Sequence, residues 1–230
     1  MSAELPAILP LGEAALTIRL AETASVEASE RAAALASAIR REAIDGVTDV
    51  VPSVASVSVY YQLQTENGRR KTANGKRTAN GEIREALDSI VASESWRHGA
   101  PENYTTHTIP TRYDGADLDE VAERVGLVRE EVIRRHAARE YHVLAIGFLP
   151  GWGYLGPLDP SLALPRRASP RVRIPAGSVA IAGVQTGIYP RVSPGGWNLI
   201  GSTGVVLFDA RRDRPTLFRA GDRVRFEPIV

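Results

Sequence analysis

Between residues 141 and 204 this chain is interrupted too often to form helices, because the stretch holds 11 of the 20 glycines and 8 of the 15 prolines. Proline removes a backbone donor, and glycine weakens any helix it enters. Between the breaks lie short apolar runs at 143–149, 178–182 and 199–200, then at 205–208 and 224–226. Short runs separated by turn residues predict a β-barrel or sandwich, not alternating βα units.

The first hundred residues have a different texture. Residues 14–20 read as an apolar strand, and 25–44 as a helix carrying Ala28, Ala32, Leu35, Ala36, Ile39 and Ala43 on one face. Two β-branched runs, 47–51 and 54–61, flank the turn signal Pro52-Ser53, and 82–96 reads as a second amphipathic helix. The order β-α-β-β-α predicts a ferredoxin-like α+β domain over residues 1–100. Within it, 62–81 carries three Asn-Gly pairs and no apolar stripe, which predicts a solvated insertion. Residues 98–103 read as a linker to a second domain, 104–230, that begins with a strand at 106–112 and a helical hairpin at 117–139.

At 230 residues the chain can bury a core without metal or disulfide staples. Its net charge of +1 argues against a general nucleic-acid or membrane-surface binder. The absence of cysteine removes thiol nucleophiles, thiolate metal sites and disulfides together. No signal-peptide pattern opens the chain and no apolar run reaches membrane-span length, so the expected location is the cytoplasm. The basic residues are 26 Arg and two Lys. Guanidinium forks suit carboxylate or phosphate ligands, but a GC-rich genome produces the same bias.

Two motifs have more than one reading. Residues 151–156, Gly-Trp-Gly-Tyr-Leu-Gly, match the dinucleotide fingerprint in letters. That mechanism needs a helix to start there, and Pro157 and Pro160 forbid one. Residues 117–133 resemble a helix-turn-helix, with Asp117 placed to cap the first helix and Gly126 to end it. Yet 117–140 carries seven acids against five bases, the wrong sign for meeting phosphates, so a packed hairpin is expected and no nucleic-acid partner.

Conventional catalytic sets are missing. The histidines at 98, 107, 136 and 142 have no metal-ligand spacing, so no metal site is expected on this chain. From 141 to 208 the sole acid is Asp159, against Arg166, Arg167, Arg171, Arg173 and Arg191, so no two-carboxylate hydrolase fits there. The region does offer backbone amides, the hydroxyls of Ser178, Thr186, Tyr189 and Ser193, and the flat faces of Trp152 and Trp197. Such an inventory suits an anionic small molecule, or one half of an active site shared with another chain. A plain barrel with turn glycines and solvated arginines accounts for the same residues.

Residues 147–155, Gly-Phe-Leu-Pro-Gly-Trp-Gly-Tyr-Leu, resemble the GF-x-PGF-x-YL signature of the KipI family (the 5-oxoprolinase B subunits, PxpB; also called allophanate hydrolase subunit 1), which is carboxyltransferase subdomain C/D-like. Pro165-Arg166-Arg167 and Pro170-Arg171 match its PR repeats. The stretches 175–183, 185–190 and 193–201 match its longest signatures. Val51-Pro52-Ser53, His136 and the closing 221–226 fall in family order. Departures are Trp152 where the family usually has Phe, and the Asn-Gly-rich insertion.

The resemblance implies an α+β domain followed by a cyclophilin-like β-barrel. It also implies two partner chains, a KipA-type protein (the 5-oxoprolinase C subunit) and a LamB/YcsF-type protein (its A subunit). Such assemblies hydrolyse 5-oxoproline, a small cyclic amide, to L-glutamate at the expense of ATP with Mg. No biotin is expected on this chain. ATP-driven ring opening implies an activated amide oxygen that develops negative charge. Candidate residues are therefore Arg166 or Arg171 for the anion, Gln185, Tyr189 and Ser178 for polar positioning, and His136 as proton carrier or as a buried structural group. Thr186, Ser193, Trp152 and Trp197 complete the expected pocket. The alternatives are an allophanate hydrolase or urea carboxylase-type carboxyltransferase subunit, and a regulatory inhibitor of a sensor histidine kinase.

Overall fold

The computed structural model describes residues 5–63, 65–66, 69–70, 79–97 and 104–230, which belong to two compact units, Met1–Asn103 and Tyr104–Val230. The first unit opens with a hairpin of β1 (Ala7–Pro10) and β2 (Ala15–Arg19), followed by α1 (Val26–Arg41). Then come β3 (Val47–Pro52), β4 (Ser56–Tyr61), a small hairpin of β5 (Thr65–Glu66) and β6 (Arg69–Arg70), and α2 (Ala79–Ser93). Ser25 starts α1 by accepting from the Ala28 N–H at 3.1 Å, the usual N-cap arrangement. The helix buries Ala28, Ala32, Leu35, Ala36 and Ile39, as its periodicity demanded. Along β4, Val57, Val59 and Tyr61 are buried, while Tyr60 is exposed, so one sheet face supplies the core.

The sheet runs β1-β2-β4-β3 and is antiparallel at every pairing. The order β-α-β-β-α thus runs from β2 to α2, but the fourth strand is β1, ahead of that run. No strand after α2 joins this sheet among the described residues. β1 had no signal in the sequence because it is a four-residue edge strand ending in proline, and its pairing is decided by the hairpin with β2. Asn80-Gly81 lies in the first turn of α2 instead of closing an insertion. The Asn-Gly pairs at 67–68 and 74–75, like the expected linker 98–103, lie outside the described residues.

The second unit contains β7 (Thr106–Thr111), α3 (Leu118–Val125), α4 (Arg129–Ala137), β8 (Glu140–Ile146), β9 (Gly153–Gly156) and β10 (Arg171–Ile174). β11 (Ser178–Ala182), β12 (Gln185–Ile188), β13 (Ser193–Gly195), β14 (Asn198–Ser202) and β15 (Arg223–Pro228) complete it. Seven strands form one sheet in the order β14-β11-β12-β9-β8-β15-β7, with only β15 and β7 parallel. Just past β7, Arg112 meets Ser202 of β14 through two backbone bonds, N–H to O at 2.9 and 2.7 Å. The two edges of the sheet therefore meet, and it curls into a nearly closed barrel, which removes exposed edges. That seam needs glycine: a Cβ at Gly201 would lie 2.4 Å from the Arg112 carbonyl oxygen.

All five residues of β11 are buried because it separates two apolar layers. Val179 and Ile181 face the barrel core with Tyr141, Leu155, Phe218 and Val224. Ala180 and Ala182 face a second cluster with Trp152, Tyr189, Trp197, Leu199 and Ile174, the last from the separate β10–β13 ribbon. Residues 205–208, expected as a strand, make only one bridge, Phe208 to Thr216.

Candidate functional site

The aromatic layer on the outer side of β11 and β12 gathers several of the expected residues. Trp152 is buried and meets Tyr189, Trp197 and Tyr154 edge-on, with ring centroids 4.8, 5.0 and 5.9 Å apart. It can lie there because Gly187 has no side chain: a Cβ at that position would sit 2.8 Å from Trp152 Cζ2. The indole Nε1 is buried and has no hydrogen-bond partner, an unusual state for a buried donor. Ser193 Oγ and Asn198 Oδ1 are buried without partners as well. Burial raises the pKa of Tyr189, an effect partly offset by a hydrogen bond with the Trp197 backbone and by the nearby charges of Arg166 and Arg171.

Strand alternation divides the remaining candidates. Gln185 opens β12 and Tyr189 follows its last residue on the same face, about 13 Å away at roughly 3.3 Å per residue. Thr186 points the other way, into the barrel. There its Oγ donates to the Ala180 carbonyl at 3.0 Å and lies 2.9 Å from His136 Nε2. Nε2 must then carry the proton, so His136 Nδ1, 2.8 Å away, accepts from the Tyr113 hydroxyl. His136 is fully buried, and burial pulls its pKa down to about 3. Burial likewise raises the phenols of Tyr113 and Tyr141. The structure thus places His136 and Thr186 in a hydrogen-bonded chain across the core, on the opposite side of β12 from Gln185 and Tyr189. Ser178 is buried at the start of β11.

The two favoured arginines also separate. Arg171 lays both terminal nitrogens on the carboxylate of Asp117, at 2.8 and 2.6 Å, and Arg167 adds a third bond at 2.8 Å. The Leu199 N–H donates to the same carboxylate at 2.7 Å. Arg171 is therefore committed to an internal partner, while Arg166 is exposed beside Tyr189. Asp117, expected as a helix cap, makes no cap bond with its side chain because these four donors hold it. The sequence singled out Asp117 only as a cap and did not single out Tyr113. Nothing local marks either residue for its role, since the partners of both lie far along the chain.

Residues 151–153 lead into β9 and not a helix, so these glycines form no pyrophosphate cradle. Among the described residues no group of three His, Asp or Glu could hold a metal ion. No helix among them is long and apolar enough to cross a membrane.

Residues 6–218 match the family described as carboxyltransferase domain, subdomain C and D. The chain is 37% identical to the 5-oxoprolinase B subunit of Bacillus subtilis, over 95% of this chain and 91% of that protein. It is 48% identical to the 5-oxoprolinase B subunit of Escherichia coli O157:H7, over 62% of this chain and 68% of that protein. Among solved structures, TTHA0988 superposes with a TM-score of 0.78 at 40% identity, covering 94% of this chain but 40% of that longer one. Urea carboxylase of Kluyveromyces lactis shares the fold at 18% identity and a TM-score of 0.65, over 99% of this chain and 23% of that one. By sequence and by fold, the chain belongs to the carboxyltransferase domain subdomain C and D family, within its group of 5-oxoprolinase B subunits, the KipI family.

Proposed function

We propose that this chain is the B subunit of a multi-chain, ATP-dependent 5-oxoprolinase that converts 5-oxoproline to L-glutamate. Its site is composite, built with the KipA-type C subunit and served by the LamB/YcsF-type A subunit. The observation that carries this reading is a half-site. Arg166 is exposed and Gln185 half-buried at the border of a layer in which Trp152, Tyr189 and Trp197 are buried, while the one histidine matched to the family, His136, is sealed in the core. Such a surface binds and orients a small carboxylate-bearing amide but brings no acid–base pair of its own.

On this reading Arg166 takes the substrate carboxylate, the buried Trp152 and Trp197 back the site from within, and Gln185 and Tyr189 give polar groups at opposite ends of it. Among the described residues, the groups of this chain do not fit ATP and its Mg²⁺. The Gly-rich loop opens a strand, and the described residues offer no cluster of metal-ligating carboxylates. We assign the nucleotide to the partner chains and the work in this chain to binding and orientation. A carboxyltransferase role, for which the urea carboxylase fold similarity is the supporting observation, would instead make turnover depend on biotin.

The decisive experiment is 5-oxoproline-dependent ATP hydrolysis by this chain mixed with its own organism's KipA-type and LamB/YcsF-type proteins, each omitted in turn. Turnover that requires all three chains is the expected result. A well-formed complex without turnover would move the substrate to another amide.

A further inference from the structure

Phe148 is held where an aromatic residue rarely stays. Its φ is +64°, and the Leu149 N–H closes a bond of 2.7 Å to the Gly147 carbonyl across it, the pattern of the rare, strained γ-turn. Strain of this kind persists only where the surroundings impose it or a function uses it. Side-chain packing does not account for it, because the residue is 60% exposed and its ring meets Trp152 edge-on, 5.6 Å between centroids. The turn is held by the loop's backbone bonds, Trp152 N–H to the Leu149 carbonyl at 2.9 Å and Gly147 N–H to the Trp152 carbonyl at 3.2 Å. Behind the turn, Gly151 at φ +85° presses its Cα against Phe208, where a Cβ would come within 2.8 Å of Phe208 Cβ. Phe208 is exposed too, as is Val206. Phe148 and Phe208 thus stand exposed on loops that meet at Gly151, beside a strip, 209–219, that carries four arginines against two aspartates, Arg211 and Arg212 both pairing with Asp209.

We infer that Phe148 is an aromatic anchor, presented by its strained turn for insertion into a partner protein whose socket is apolar and whose rim is acidic. This rests on the function proposed above and goes beyond it by naming the surface. A protein occupant is favoured by three observations. The relatives are named as subunits; the TTHA0988 chain is longer than the part matched here; and an exposed apolar knob with a basic border is complementary to an acidic protein surface. Aromatic residues near an interface centre carry a disproportionate share of binding energy.

The test measures binding of this chain to its own organism's KipA-type protein by titration calorimetry, beside the thermal midpoint of the free chain. Phe148→Gly relieves the turn and removes the ring. The expected result is an unchanged or higher midpoint with affinity weakened at least about 30-fold. Phe208→Ser and Arg212→Glu should each weaken the complex, and wild-type affinity should fall with salt. Val128→Ser, at an equally exposed valine before α4, should change nothing. A lower midpoint with intact affinity would make Phe148 an internal packing residue and overturn the inference. Intact affinity with a raised KM for 5-oxoproline would make it a lid over ligand, which also overturns it. If the wild-type chain forms no complex, the proposed function falls together with the inference; a wild-type complex that Phe148→Gly leaves intact sinks the inference alone.

Discussion

Arg171 of β10 and Asp117 at the start of α3 meet through two parallel charge-assisted bonds, 2.8 and 2.6 Å long, on a carboxylate that is almost wholly buried. With Arg167 and the Leu199 N–H on the same group, this one side chain fastens a helix, the β10–β13 ribbon and β14 to one another. A carboxylate in that position explains why the arginine-rich stretch after 165 is an internal fitting as much as a binding surface.

Removing Asp117 leaves Arg171 without its carboxylate, the buried Leu199 N–H without that acceptor, and Arg167 with Glu120 alone at 3.0 Å. Asp117→Ala should therefore cost about 3 kcal/mol or more, the range seen when one partner of a buried pair is lost. Denaturant unfolding measures it, and a cycle with Arg171→Ala should show strong coupling. Additive effects of the two replacements would contradict the arrangement.

His136 gives the fold an acid sensitivity of definite sign. Its imidazole titrates near 6.5 when unfolded and about 3 when folded, so between these values only the unfolded chain takes the proton. The stabilisation is complete above pH 6.5 and declines as pH falls toward 3, by roughly 1.4 kcal/mol per pH unit in that window. Denaturant midpoints taken from about pH 7.5 to about pH 4.5 should slope accordingly. His136→Gln should lower stability at neutral pH and flatten that part of the slope.

Gly187→Ala places a methyl group 2.8 Å from Trp152 Cζ2 and 3.3 Å from the Gly153 carbonyl oxygen. The indole or the strand must move, and overpacking of this kind costs about 1–3 kcal/mol. Near-ultraviolet circular dichroism should lose part of the coupled Trp152–Trp197 signal. An unchanged spectrum together with unchanged stability would show that the layer is looser than its ring contacts imply.

Gln185→Ala and Tyr189→Phe address the proposed half-site directly. Each should lower kcat/KM of the assembled enzyme by roughly 100-fold, the scale for loss of a well-placed hydrogen-bonding group. Sedimentation of the complex should be unaltered. Full activity in both variants would move the site off β12.

Glycine and proline placement announced a barrel after residue 141, because turn chemistry is local and leaves its mark in the residues themselves. The apolar spacing of α1 did the same for the first unit, where burial of a face at helical period needs no distant information. The motifs at 147–155 and 175–201 also carried the family, and the comparisons agree. Three things were beyond a linear reading. β1 forms only because β2 offers it an edge, Asp117 exchanges its capping role for arginines 50 and 54 residues away, and His136 finds Thr186 across the core. Each depends on which side of a strand or helix meets which distant neighbour. That choice is made when the barrel closes between Arg112 and Ser202, since only closure sets which face of β12 is inside and which side chains lose water.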